Sequence, residues 1–279
     1  MADEHQAAPQ SRATFPGDKF LKVVFAGCIN VGKSRNNPIR GNLVATGLRE
    51  AFGHILHKLS PDHQVRACVW FVQARDTATV TRAQRVSYII KAGLTDDFVR
   101  NELGLDVKAS ADELTAMVEG LNKATHVRPN TILTHGPTIR QLFIDVVTGL
   151  DALLDAAQDS RRMVEEAVGV VLHNAVFEKL IGEAIQELDE LSTHTTIDYH
   201  MIDRIEVEKM DAATISYLVT GEAAVELQFG SGSDVRNDIG YMERDSYPYE
   251  ARAEVPITEP LAITANDVEV KVDTDSYYE

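Results

Sequence analysis

The chain has 279 residues, 44% of them apolar, enough for a sizeable core in one large domain or two small ones. It holds no apolar run of about 18 residues, which excludes a membrane-spanning helix, and its polar, acidic start excludes a secretory signal. The net charge of −16 is uneven: residues 1–100 carry 14 Lys and Arg against 8 Asp and Glu, and the remainder carries 13 against 35.

The basic early part suits phosphates, whereas the acidic remainder repels nucleic acid and reads as solvated surface or a face for a basic partner. Two cysteines, Cys28 and Cys68, make neither a disulfide framework nor a zinc site, and the expected home is cytoplasmic.

In chain order, residues 1–18 read as a flexible tail. FLKVVFAGC, from Phe20, is β-branched and aromatic, and predicts a short buried strand. Gly27 to Ser34 then read GCINVGKS, the pattern of a phosphate-binding loop. In such a loop Gly27 and Gly32 let backbone N–H groups wrap phosphates, Lys33 reaches the terminal phosphates and Ser34 holds magnesium. The required helix starting at Lys33 conflicts with Pro38, which costs roughly 3 kcal/mol inside a helix. Asn36 and Asn37 prefer caps, so the helix is expected from about Pro38 to the break at Pro61. The partner motifs of a GTPase are missing, since the Asn-Lys at 122–123 lacks its aspartate.

VRACVWFVQ (65–73) predicts a strand, 79–93 and 96–103 short helices, and 110–125 a helix capped by Ser110 with Glu113. Residues 126–137 predict a loop, and 138–157 and 160–191 two long helices with wide apolar stripes. After residue 193 the period becomes two. TISYLVTGEAAVELQF predicts a hairpin turning at Thr220–Glu222, followed by a long loop at 230–240 and short strands in RAEVPIT, PLAITA and VEVKV. The fold class expected is α+β, with a mainly helical part over 19–192 and a β-rich part over 193–279.

Several groups could carry chemistry. His54 and His57 lie three apart on one helix, which suits a metal only if a third ligand joins them. Loop residues His126, Arg128 and His135 combine an anion binder with two proton movers. The Arg128–His135 spacing resembles the Arg-x(4–6)-His pattern of helical HEPN ribonucleases, but Pro129, Gly136 and Pro137 argue against a helix here. Arg35, Arg40, Arg82 and Arg85 are the candidate nucleic-acid contacts, with Trp70 and Phe71 nearby in sequence. The mixed charges of 192–210 lack the Glu-x-Lys register of a restriction-type metal nuclease and read as a solvated sheet face. A divalent metal stays open as a cofactor.

Four blocks, RNNPIRGNLVATGLREAFGHILHKLSPD, TRAQRVSYIIKAGLTDDFV, LNKATHV and VELQFGSGSDVRNDIGYMERDSYPYEA, lie along residues 35–279 and carry a likeness that extends over most of that span. In these the chain resembles the predicted prokaryotic Piwi-associating nucleases of bacterial defence gene neighbourhoods. The resemblance implies a defence protein acting on or bound to nucleic acid, a nuclease working with a partner protein. It assigns no catalytic residue. Two alternatives stand beside it: a non-enzymatic subunit docking a partner through its acidic, β-rich part, and a nucleotide-binding protein using GCINVGKS.

Overall fold

The computed structural model describes residues 17–278. The expected flexible tail lies outside the described residues, save Gly17 and Asp18. The chain is α+β, with helices over residues 19–189 followed by a four-stranded antiparallel sheet. It divides into two compact units. Among the described residues, the first holds 17–66, 71–92 and 105–160, and the second holds 67–70, 93–104 and 161–278.

The first unit opens with helix α1 (Lys19–Lys33), not the expected strand. Asp18 caps it, its carboxylate accepting from the Leu21 N–H at 3.0 Å and pairing with His54 and Lys58, each at 3.0 Å. Leu21, Val24, Phe25, Cys28 and Val31 recur at helical spacing and pack onto helix α2 (Arg40–Leu59). The apolar face of α2 overrides the β propensity of α1, because burial of a whole stripe outweighs residue preference. Contact is close at Gly47, where an added Cβ would lie 2.3 Å from Cys28 Sγ.

Helix α3 (Asp62–Ala67) replaces the strand expected over 65–73, and Val69 and Val72 are exposed rather than paired in a sheet. Arg85, on helix α4 (Arg82–Lys91), holds this corner by donating to the Ser60 carbonyl at 2.6 Å and to Asp62 at 2.5 Å. Helix α5 (Asp96–Asn101) falls in the second unit. Helix α6 (Val107–Thr125) is capped by Asp106, which accepts from the Ala109 N–H, so Ser110 lies inside the helix.

The loop 126–135 is pinned to the start of α2 by three consecutive residues. Arg40 Nη2 donates to the Thr134 carbonyl at 2.6 Å, and the Gly41 N–H donates to the Leu133 carbonyl at 3.1 Å. Asn42, 1% exposed, spends its whole amide on the last turn of α6 and the loop. Nδ2 donates to the carbonyls of Ala124 and Thr131, both at 2.8 Å, and Oδ1 accepts from the Leu133 N–H at 3.2 Å. Gly41 is required here, since a Cβ would sit 2.4 Å from Leu133 Cβ.

Helix α7 (Gly136–Gly182) merges the two helices expected over 138–157 and 160–191. Gln158 and Asp159 between the two stripes are polar but break nothing. Its stretch to Ser160 buries Ile139, Val146 and Leu153 in the first unit's core. From Arg161 its Val164, Val168, Leu172 and Val176 are buried in the second unit. A short helix α8 (Gln186–Asp189) follows.

The sheet runs in the order β1 (His194–Met210), β2 (Thr214–Phe229), β3 (Tyr241–Pro256), β4 (Val268–Val272). Thr220–Glu222 is not a turn: β2 passes straight through it. Gly221 instead admits a close crossing, because a Cβ would lie 2.0 Å from the Met201 carbonyl and 2.7 Å from Tyr249 Oη. The 230–240 connection is a loop with helix α9 (Gly232–Arg236), whose Asp234 is spent on Ser231. RAEVP belongs to β3, PLAITA is a turn held by Tyr217 Oη donating to the Pro260 carbonyl, and VEVKV is β4.

His200, 5% exposed, joins β1 to α7 and β3 within this unit. Its Nε2 lies 3.2 Å from the His173 carbonyl, which only accepts, so Nε2 carries the proton. Nδ1 then accepts from Tyr249 Oη at 2.8 Å. Burial, and secondly the neighbouring His173, lower the pKa of His200 below its usual 6.5, while burial raises that of Tyr249.

Asn42→Ala is expected to cost about 1–3 kcal/mol in denaturant unfolding, because three backbone groups lose their partner. Amide exchange should quicken first at Leu133. The neutral His200 contributes stability that is whole above about pH 6.5 and lost as pH falls through its lowered folded value. The thermal midpoint should therefore drop between about pH 7.5 and about pH 5.5, and His200→Phe should shrink that drop.

Candidate functional site

The site is built in the first unit by three chain segments that meet at one end. The last turn of α1 brings Ile29, Gly32 and Lys33. The first residue of α2 brings Arg40, and the connection that leads to it brings Arg35. Its path is set by Asn37, whose side chain accepts from the Ile39 N–H at 3.0 Å, with Pro38 between them. The first turns of α7 bring Gly136, Pro137, Ile139, Arg140 and Phe143. Proline suits a first helical turn, where its missing N–H costs nothing.

These residues enclose a pocket of about 710 Å³. Lys33, Arg35, Arg40 and Arg140 line it, and among the described residues no carboxylate does. Among the described residues none of the four cations is ion-paired, and only Arg40 has a protein hydrogen-bond partner. A concave site lined by one sign of charge concentrates field and attracts anions. The α1 carbonyl end works against this, and Lys33 in the last turn offsets it. The α7 N-terminus adds to the positive field. Ile29, Ile139 and Phe143 supply apolar walls.

Arg35 and Arg40 are thus brought together. Lys33 and Gly32 join them, though not as a phosphate loop. Residues 27–33 are helical and Ser34 is the C-cap, so neither the strand before the loop nor the helix starting at Lys33 that the motif needs is formed. Gly27 lies elsewhere on α1, outside the pocket lining. Arg140 escaped the sequence reading because it looked like the polar side of a long stripe. Its one signal was its place in the first turn after a Gly-Pro helix start.

His135 immediately precedes the lining residue Gly136 in sequence but is not itself in the pocket lining. It is exposed, with Nδ1 3.2 Å from Thr138 Oγ1. His126 and Arg128 are exposed on the same loop but do not line the pocket. Thr131 organises them, its hydroxyl donating to the His126 carbonyl and accepting from the Arg128 N–H at 2.9 Å. Arg82 is exposed, whereas Arg85 is 3% exposed and committed to Ser60 and Asp62. The expectation that Arg82 and Arg85 form one nucleic-acid face is corrected: burial of the corner at Asp62 claims the Arg85 guanidinium.

His54 and His57 pair with different carboxylates, Asp18 at 3.0 Å and Asp62 at 3.8 Å. Among the described residues no group of three or more His, Cys, Asp or Glu is placed to hold a metal ion. The mixed charges of β1 pair on the sheet surface, Lys209 with Asp211 at 2.8 Å and Glu208 with Arg252 at 3.5 Å. No described helix is long and apolar enough to cross a membrane.

Comparison with known proteins finds no match among curated proteins and none among solved structures. Two family models do match, one over residues 13–150 and the other over residues 157–278, and both are described as a predicted pPIWI-associating nuclease. The junction falls inside α7, close to the division between the two units. With nearly all of its length matched in this way, the chain belongs to the predicted pPIWI-associating nucleases.

Proposed function

We propose that this chain binds the sugar-phosphate backbone of nucleic acid in the cationic pocket and works there as a nuclease with a protein partner in prokaryotic defence. The observation that carries the reading is the convergence of Lys33, Arg35, Arg40 and Arg140 on one pocket with no carboxylate among the described residues in its lining. Four unpaired cations held together repel one another, and an anionic ligand relieves that repulsion. The family description supports both the nuclease activity and the partner.

In this reading the arginines bind phosphate and stabilise the charge that develops on its oxygens during cleavage. His135, next in sequence to the pocket's Gly136, moves the proton. His126 and Arg128 extend the basic loop along the strand. The acidic remainder of the chain keeps nucleic acid away from other surfaces, so binding concentrates at the pocket.

Fluorescence anisotropy with single-stranded RNA and DNA, measured across a salt series, tests the binding. Arg35→Ala and Arg140→Ala should each weaken it about tenfold and flatten the log–log salt slope by about 0.7. Unchanged affinity and slope in both variants would place the interface elsewhere. For cleavage, assayed with and without magnesium or manganese and with the partner present, His135→Ala should lose about 10²–10⁴-fold in rate while binding is kept. Full activity in that variant removes His135 from the chemistry.

A further inference from the structure

We infer that the pocket takes the terminal monophosphate of a nucleic-acid strand rather than a stretch of internal backbone. This rests on the nucleic-acid reading above and adds the chemical class of the group bound.

The first argument is charge. An internal phosphodiester carries one negative charge. A terminal monophosphate carries about −1.5 to −2 near neutral pH, by the same second ionisation as a phosphorylated side chain. Four cations gathered around about 710 Å³, with no carboxylate to share them, match the more highly charged group.

The second argument is shape. A surface that follows a strand spreads its cations along a groove. Here Lys33 on α1, Arg35 on the connection, Arg40 at the start of α2 and Arg140 on α7 come from separate chain segments into one concavity. Such an arrangement surrounds an end.

The third argument is the floor. Gly136 opens a 47-residue helix and lines the pocket. Its N–H, like that of Thr138, has no acceptor among the described residues. Nothing lies within 4 Å of where a Gly136 Cβ would be, so the space in front of this helix end is open. An N–H donor at a helix N-terminus, backed by arginines, offers a phosphate hydrogen bonds that its extra oxygen can accept. Ile29, 46% exposed, and Phe143 give the adjoining sugar or base an apolar wall.

The phosphate could stand at either end of a strand, and the test separates them. Anisotropy is measured with one oligonucleotide sequence carrying a 5′-phosphate, a 3′-phosphate, or hydroxyls at both ends, with inorganic phosphate as competitor. The variants are Arg35→Ala and Arg140→Ala, whose side chains have no protein partner, so the fold is kept. One phosphorylated end should bind at least about tenfold tighter than the hydroxyl control, with the advantage falling to about unity in Arg140→Ala. Inorganic phosphate should erode the same advantage. Equal affinity for all three oligonucleotides overturns the end-recognition inference and leaves the nucleic-acid reading standing. Binding of none of them removes both.

Discussion

Everything at the candidate site depends on one buried amide. Asn42 makes three hydrogen bonds to backbone groups between 124 and 133, and it does so from inside the core of the first unit. A buried amide with all its partners is stable, and one without them is costly, so loop and helix are committed to a single geometry. Gly41 beside it brings the backbones into contact, and Arg40 before it reaches the Thr134 carbonyl. The three residues Arg40, Gly41 and Asn42 thereby tie the start of α2 to the start of α7, two points about a hundred residues apart in sequence. The pocket exists because those two starts are held side by side.

The second unit applies the same device in a different architecture. A residue with no side chain, Gly221, lets β2 lie close under the Met201 carbonyl and the Tyr249 ring. Tyr249 then bonds to His200, and His200 to the backbone of α7 at His173. One protonation state satisfies that chain of bonds: a neutral imidazole with its proton on Nε2. Helix, edge strand and third strand are joined there by polar contacts inside an otherwise apolar layer, which specifies a unique packing more strongly than apolar contacts do.

The uneven charge gains meaning from this placement. The basic excess of the first hundred residues is not spread evenly over the surface. Arg85 is spent inside the protein and Arg49 is paired with Glu50, while Lys33, Arg35 and Arg40 are left unpaired at one pocket. Arg140 joins them from the acidic remainder of the chain. The positive charge is then local, and it comes with a preformed helix end and apolar walls.

Much of the fold was legible in the sequence. The helical period of α2, α4 and α6, the loop at 126–135, the later switch to a period of two and the α+β class all follow from local pattern and from prolines and glycines. So did the family resemblance. What the sequence could not decide was whatever depends on distant packing. FLKVVFAGC has the residues of a strand, and the apolar face of α2 makes it a helix. Thr220–Glu222 has the residues of a turn, and the crossing of Met201 and Tyr249 makes its glycine a point of close approach. GCINVGKS has the letters of a phosphate loop, and its backbone groups are spent on a helix. The cationic pocket joins Lys33 to Arg140 across a hundred residues, and only the tertiary structure determines that, because side chains that distant meet only where buried hydrogen bonds such as those of Asn42 force their elements together.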